Sequence, residues 1–194
     1  MYVELLILEQ LLSGPKHGYE IKKNIQEALG ESFEINNNLL YPALRRFLEM
    51  GAISKEVVKP EGKPKRHIYL LTDVGEEIFC EMIRDFPDRL AASQAEFMVR
   101  VALFNRLDRD MQFEILQKRE DVLKEERNHF HQIESAHSQN PFVMEVVRFQ
   151  KKQIEHELDW IMHLKQRVLD QAASDPSVRI GKQRPDQHQS PCND

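Results

Sequence analysis

Cysteine is scarce in this chain of 194 residues, and the two cysteines, Cys80 and Cys192, lie far apart in the sequence. Such spacing gives neither the framework of a small disulfide-rich domain nor the closely spaced ligands of a structural metal site. We therefore expect no disulfide framework and a location in the reducing cytoplasm.

The sequence also lacks a long uninterrupted apolar run. Its opening twelve residues are largely apolar, but they include Glu4 and Glu9 and have no basic leader. A helix that crosses a membrane needs about 20 apolar residues, so this segment is a poor signal peptide or anchor and a good first helix of a core. We expect no membrane partner.

Signatures of catalysis are missing as well. The sequence has no serine, histidine and aspartate in the order of a catalytic triad, and it has no glycine-rich phosphate-binding loop. Cys80 has no neighbouring residues typical of a catalytic nucleophile. The histidines His129, His131 and His137 come nearest to a metal site. However, His129 and His131 are two residues apart, on different faces of a helix, and no third ligand stands out. We expect no enzyme, no metal and no cofactor.

The chain has no overall excess of basic residues, since its formal net charge is -5. The charge is, however, unevenly distributed along the sequence. Residues 35–69 hold seven basic and three acidic side chains, which is net positive by four, and the rest of the chain is acidic. A local basic face on an acidic protein is the footprint of a binding site.

This basic stretch has the pattern of a helix followed by two strands. Apolar residues recur at helical spacing over residues 40–47, asparagine at positions 36–38 suits the N-cap, and Gly51 gives the stop. Strand-like runs at residues 53–58 and 66–71 flank the turn residues 60–64. A polar-faced helix beside a basic β-wing can place the helix in the major groove and the wing on the adjacent backbone. DNA is therefore the first partner to consider.

The whole chain is predicted to be mainly α (α+β), with a winged helix-turn-helix at its N-terminus. Helices at about residues 3–13 and 17–29 precede the basic helix, and Thr72 caps a fourth. Long helices follow, from about residue 89 to 107, 111 to 137 and 142 to 171. We therefore predict a DNA-binding domain at residues 1–88, a helical dimerisation domain at 89–172 and a disordered polar tail at 173–194.

The last long helix carries apolar residues at intervals of seven, namely Val147, Ile154, Ile161 and Val168, with Leu158 beside them. Such a line needs a partner helix to bury it. The partner is either the preceding helix of the same chain, in a hairpin, or a second copy, in which case these residues form a dimer interface. Trp160 lies next to the line and belongs to the core, to the dimer interface or to an effector pocket.

Four motifs in the first 80 residues resemble those of the PadR family of bacterial transcriptional regulators: HGYEI from His17, LYPAL from Leu40, EMG from Glu49 and YLLTDVG from Tyr69. The remainder resembles the helical C-terminal domain of the longer, AphA-like branch of that family. The resemblance implies a homodimeric DNA binder whose third helix reads the major groove. It also implies a repressor that a small aromatic or amphipathic effector releases.

The outer face of the third helix holds the first group of expected DNA contacts: Asn38, Tyr41, Pro42, Arg45 and Arg46. Asparagine suits the edge of adenine, and arginine suits guanine or a phosphate. A second group is expected to touch phosphates or the minor groove: Tyr19, Lys63, Lys65 and Arg66.

Other roles remain open for several of these residues. Tyr41 could pack sideways against the first helices, Arg45 could form a surface ion pair, and the basic turn could simply be solvated. The sequence predicts a regulator that binds double-stranded DNA at an inverted repeat. The alternative is a winged-helix module that binds another protein and does not read DNA.

Overall fold

The computed structural model describes residues 2–30, 33, 35–58, 66–135 and 140–174. The chain divides into two compact units, of which the first ends at Asp85 and the second begins at Phe86. The boundary lies three residues before the one predicted from the sequence. Among the described residues, no helix is long and apolar enough to cross a membrane.

The first unit is a winged helix-turn-helix, which confirms the predicted fold class. Its elements are α1 (Tyr2–Leu12), β1 (Lys16–His17), α2 (Gly18–Leu29), α3 (Asn37–Glu49), β2 (Ile53–Val58), β3 (Arg66–Leu71) and α4 (Asp73–Arg84). The core forms around α1, which contacts α2, α3, β3 and α4. Leu5, Ile7 and Leu8 of α1 are at most 1% exposed, because this helix is apolar on nearly every side.

The three strands form an antiparallel sheet in the order β1-β3-β2. Lys16 pairs with Tyr69 on one side of β3, and Ile53 pairs with Leu71 on the other. After Ile53 every residue of β2 is exposed. The hairpin therefore leaves the core almost at once and projects as a wing.

The second unit consists of α5 (Asp88–Ala91), α6 (Gln94–Ala102), a short 3-10 turn (Phe104–Arg106), α7 (Arg109–Ser135) and α8 (Pro141–Ser174). The prediction of a single helix over residues 89–107 is wrong, because the helix is interrupted at Ser93. The side chain of Ser93 caps α6 by accepting a hydrogen bond from the backbone N of Glu96 at 3.4 Å.

The apolar line of α8 is buried within one chain. Val147, Ile154, Ile161 and Val168 are between 1% and 5% exposed, and Leu158 is half-buried. α7 packs along α8, so the hairpin alternative accounts for the burial of these side chains. The four buried side chains offer little surface to a second copy, and the dimer interface stays a prediction.

Two lysines interrupt this line, and both reach across to α7. Lys165 forms an ion pair with Glu120, and Lys151 forms one with Glu134. Hydrogen bonds from Lys124 and then Lys165 hold the pKa of Glu120 below its usual value. These pairs lie at the margin of the hairpin. They contribute more to the register of α8 against α7 than to the free energy of unfolding.

The cysteines also need a correction. Cys80 lies in α4 and is disulfide-bonded. The sequence predicted no disulfide, since the spacing along the chain says nothing about distance in the fold.

We predict that the neighbouring substitutions Ile161→Ala and Met162→Ala differ sharply in their effect on stability. Ile161 is 1% exposed and Met162 is 59% exposed. Removing the buried side chain should lower the free energy of unfolding by about 2–5 kcal/mol, and removing the exposed one by less than about 0.5 kcal/mol. Urea denaturation followed by circular dichroism measures both. Equal effects would contradict the hairpin packing.

Candidate nucleic-acid interface

The helix α3 is held at both ends so that one face is buried and the other is presented to solvent. Asn36 caps it by accepting a hydrogen bond from the backbone N of Leu39 at 3.0 Å, as predicted. Gly51, with φ of +70°, lets the chain turn away at the other end. The buried face is formed by Leu40, Ala43, Leu44 and Phe47, and the exposed face carries Asn38, Tyr41, Pro42 and Arg45.

The adjacent arginines of α3 differ in their surroundings. Arg45 is exposed and makes no hydrogen bond or ion pair within the described residues. Arg46 forms an ion pair with Glu4 of α1. The Arg46 side chain thus ties α3 to α1, and its DNA contact stays a prediction. Arg45 has no such partner among the described residues.

Tyr41 packs sideways while leaving about half of its surface, 48%, exposed. Its Cε1 atom lies 3.4 Å from the position that a Cβ of Gly18 would occupy, so the ring rests against the start of α2. Burial raises the pKa of the Tyr69 phenol, and the nearby Tyr41 raises it further. The Tyr69 phenol thus remains a protonated hydrogen-bond donor near neutral pH.

The first motif, from His17 to Glu20, joins the wing to α2. The Nδ1 atom of His17 donates to the carbonyl oxygen of His67 at 2.8 Å, which ties β1 to β3. Glu20 accepts a hydrogen bond from the backbone N of His17 at 2.7 Å and so closes the first turn of α2. Tyr19 lies between them and is 72% exposed. Its side chain contributes little to the core and is free to contact a ligand.

A groove of about 660 Å³ opens where α2, α3 and the wing meet, and its lining includes His17, Tyr19, Lys23, Tyr41, Arg66 and Tyr69. Two cations and several hydroxyl or imidazole groups suit a phosphate, and the N-terminus of α2 adds a favourable dipole. The groove also holds one carboxylate, that of Glu20, which is engaged with the backbone N of His17. The expected contacts Lys63 and Lys65 lie outside the described residues. The structure thus brings Tyr19, Tyr41 and Arg66 together in one groove.

The motif around Thr72 begins α4, as predicted from the sequence. The Thr72 hydroxyl caps α4 by accepting from the backbone N of Gly75 at 3.2 Å. A Cβ at Gly75 would lie 2.1 Å from the carbonyl oxygen of Ala52. Only glycine fits there, so the motif sets the distance between α4 and the base of the wing.

Two other predicted features belong to the second unit. Trp160 is in the second unit, half-buried, with its ring edge-on to Phe97 at a centroid distance of 5.8 Å. Within the described residues, no group of three His, Cys, Asp or Glu side chains could hold a metal ion. His137 lies outside those residues.

Comparison with known proteins identifies the first unit. Residues 7–81 match the family described as the transcriptional regulator PadR-like family. Residues 7–81 of this chain therefore form a PadR-like domain. The negative transcriptional regulator PadR of Bacillus subtilis (strain 168) is 29% identical over 124 residues, which cover 61% of this chain and 68% of that protein.

Solved structures give similar matches. A transcriptional regulator from Clostridium thermocellum is 31% identical, and the match covers 41% of this chain and 75% of that regulator, with a TM-score of 0.38. Bacillus subtilis PadR in complex with operator DNA is 18% identical, and the match covers 87% of this chain and 99% of that protein, with a TM-score of 0.42. The same protein in complex with p-coumaric acid is 17% identical over the same shares, with a TM-score of 0.38.

We predict that the two motif glycines of this PadR-like domain respond differently to alanine. Gly75→Ala should lower the free energy of unfolding by about 3 kcal/mol or more, because the new methyl group would overlap backbone. Gly18→Ala meets only the Tyr41 ring at ordinary contact distance and should cost less than about 1 kcal/mol. Thermal or urea unfolding measures both. If Gly75→Ala is as stable as the parent, the close contact at Ala52 is wrong.

Proposed function

We propose that this chain is a PadR-family regulator that binds a specific duplex DNA sequence as a homodimer, at an inverted repeat. The observation that carries the proposal is Arg45, an exposed arginine without a described partner on the polar face of α3. An arginine held in this way can donate two hydrogen bonds to one guanine, which is the commonest base-specific contact in protein–DNA complexes.

The geometry of the first unit supports major-groove reading by α3. This helix has 13 residues, so it is roughly 20 Å long. Asn38 lies near its N-terminal end on the same face as Arg45 and suits an adenine edge. Tyr19 and Arg66 flank the helix, where they would contact phosphates on either side. Base contacts thus come from α3, and positioning contacts come from α2 and the wing.

The homodimer is proposed on a different surface from the buried line of α8. Phe142, Val146 and Phe149 follow each other at helical steps of four and three, and they are 80%, 59% and 58% exposed. A contiguous exposed apolar stripe of this kind usually marks an interface. A second copy is the occupant we propose, because two-fold symmetry would present two α3 helices to the two halves of an inverted repeat.

We further propose that the protein represses transcription in the cytoplasm and that a small aromatic or amphipathic molecule releases it. Support for repression comes from the B. subtilis relative, which is named a negative regulator. That relative has also been solved with p-coumaric acid, and this complex supports an aromatic effector without fixing its charge. The half-buried Trp160 supports a site for an aromatic molecule in the second unit of this chain.

Selection from a pool of random duplexes tests the proposed function directly. We expect the full chain to enrich an inverted repeat whose half-sites lie about one helical turn apart, roughly 10 base pairs. Each half-site should contain a guanine at one position, read by Arg45. A pool that shows no enriched sequence at moderate salt would favour the protein-binding alternative.

The two adjacent arginines provide a matched pair on the selected duplex. Arg45→Ala should weaken binding by about 1–3 kcal/mol and relax the preference at one base position, because it removes a base contact. Arg46→Ala should have a smaller effect, of less than about 1 kcal/mol, because it removes only an exposed ion pair with Glu4. Fluorescence anisotropy with specific and scrambled duplexes measures both. The reverse order of effects would contradict the assignment.

The proposed dimer surface is tested by Phe149→Asp, with Met162→Asp as the control. The two side chains are equally exposed on α8, at 58% and 59%. They are 13 residues apart (162 minus 149), which places them roughly 140° apart around the helix. We expect Phe149→Asp to give monomers in analytical ultracentrifugation and to weaken operator binding, since a charge cannot be buried unpaired. If Met162→Asp alone dissociates the dimer, the interface lies on the opposite face.

A further inference from the structure

A shallow groove between α6 and α8 lies wholly within the second unit. Its volume is about 320 Å³, and it is lined by Gln94, Met98, Gln153, His156, Glu157 and Trp160. This volume is at the lower end of the range for small-molecule sites. The groove has an aromatic wall and a polar floor, and both are held in place by buried neighbours.

The aromatic wall is Trp160. Its ring meets the ring of Phe97 edge-on, with centroids 5.8 Å apart and planes at 80°. Phe97 is fully buried and stacks in turn on Phe86 at 6.5 Å. Trp160 is only half-buried and also lines the groove, so a fixed aromatic surface is available for stacking.

The polar floor is the carboxylate of Glu157. Its Oε1 accepts from Nε of Arg119 at 2.7 Å, and its Oε2 accepts from the same guanidinium at 3.0 Å and from Gln94 at 3.1 Å. Arg119 also donates to the carbonyl oxygen of Ala91 at 2.7 Å, which locks the guanidinium in the core. The carboxylate is therefore held in a fixed position.

The groove is chemically one-sided. Glu157 lines it and Arg119 does not, and the remaining lining groups are two amides, an imidazole and a thioether. A bound anion would lose its water without meeting a lysine or arginine, which is unfavourable. A bound N–H donor, by contrast, finds carboxylate and amide oxygens that can accept.

We propose that this groove binds a planar aromatic molecule that carries an amidinium or a similar neutral or cationic N–H-rich group, and that it rejects aromatic carboxylates of equal size. The proposal rests on the effector role within the proposed function and names the ligand class. Stacking on Trp160 supplies the affinity, and Glu157 selects the charge.

The only tryptophan of the chain is Trp160, so a ¹⁵N-labelled sample has a single indole N–H resonance that reports on the groove. The full chain is titrated with 2-naphthamidine, 2-naphthamide and 2-naphthoate, which share size and shape. We expect the first two to shift the resonance and to bind at least about tenfold more tightly than the carboxylate. The proposal is overturned if none of the three shifts it, as would occur if a second copy covers the groove, or if naphthoate binds as well as the others.

A charge-reversing variant makes the test sharper. Gln153 is exposed at the groove, so Gln153→Arg should fold normally, weaken 2-naphthamidine about tenfold and strengthen 2-naphthoate. Met162→Arg adds the same charge nine residues away, on the opposite side of α8, and should leave the order of the three probes unchanged. An unchanged order in Gln153→Arg overturns the assignment of the groove.

DNA binding is measured in parallel on the selected duplex, so that the two proposals can fail separately. A chain that binds its duplex and none of the probes overturns the groove while DNA recognition stands. A chain whose indole resonance follows the predicted order without any sequence-specific DNA binding supports the groove and overturns the regulatory role.

Discussion

The carbonyl oxygen of Ala52 is the contact on which the geometry of the DNA-binding unit depends. Ala52 lies between α3 and β2. Its carbonyl oxygen accepts hydrogen bonds from the backbone N of Thr72 at 3.1 Å and from the Thr72 hydroxyl at 2.9 Å. Thr72 separates β3 from α4, and Gly75 leaves no space between α4 and this carbonyl. Four elements therefore meet at one backbone group, which fixes the direction of α3 relative to the wing.

Charge then decides which surface meets DNA. The protein as a whole is acidic, with a net charge of -5, so most of its surface repels phosphates. The ion pair between Arg46 and Glu4 uses one arginine of α3 to hold the helix on α1, which leaves Arg45 as the arginine of α3 without an ion pair among the described residues. A regulator built this way binds through a small surface, and the salt dependence of its affinity should rise with each phosphate contact it makes.

Local signals in the sequence predicted the elements of the first unit well, because caps and apolar periodicity act over a few residues. The cap at Asn36 is an example of such a signal. The remaining features depend on contacts between distant residues, such as Tyr41 against Gly18 or Arg46 against Glu4. The line that includes Ile161 has the same period in a hairpin as in a dimer, so spacing could not distinguish the two.

The central claim, that α3 lies in the major groove with Asn38 and Arg45 towards the bases, is tested most directly by site-specific photocrosslinking. A photoreactive benzoylphenylalanine replaces Asn38 in one sample and Met50, which is 55% exposed beyond the end of α3, in another. We predict that the side chain at position 38 crosslinks to one base at the same position in each half-site, and that the side chain at position 50 crosslinks to no base. Base crosslinks at neither position, or only at position 50, would contradict the account.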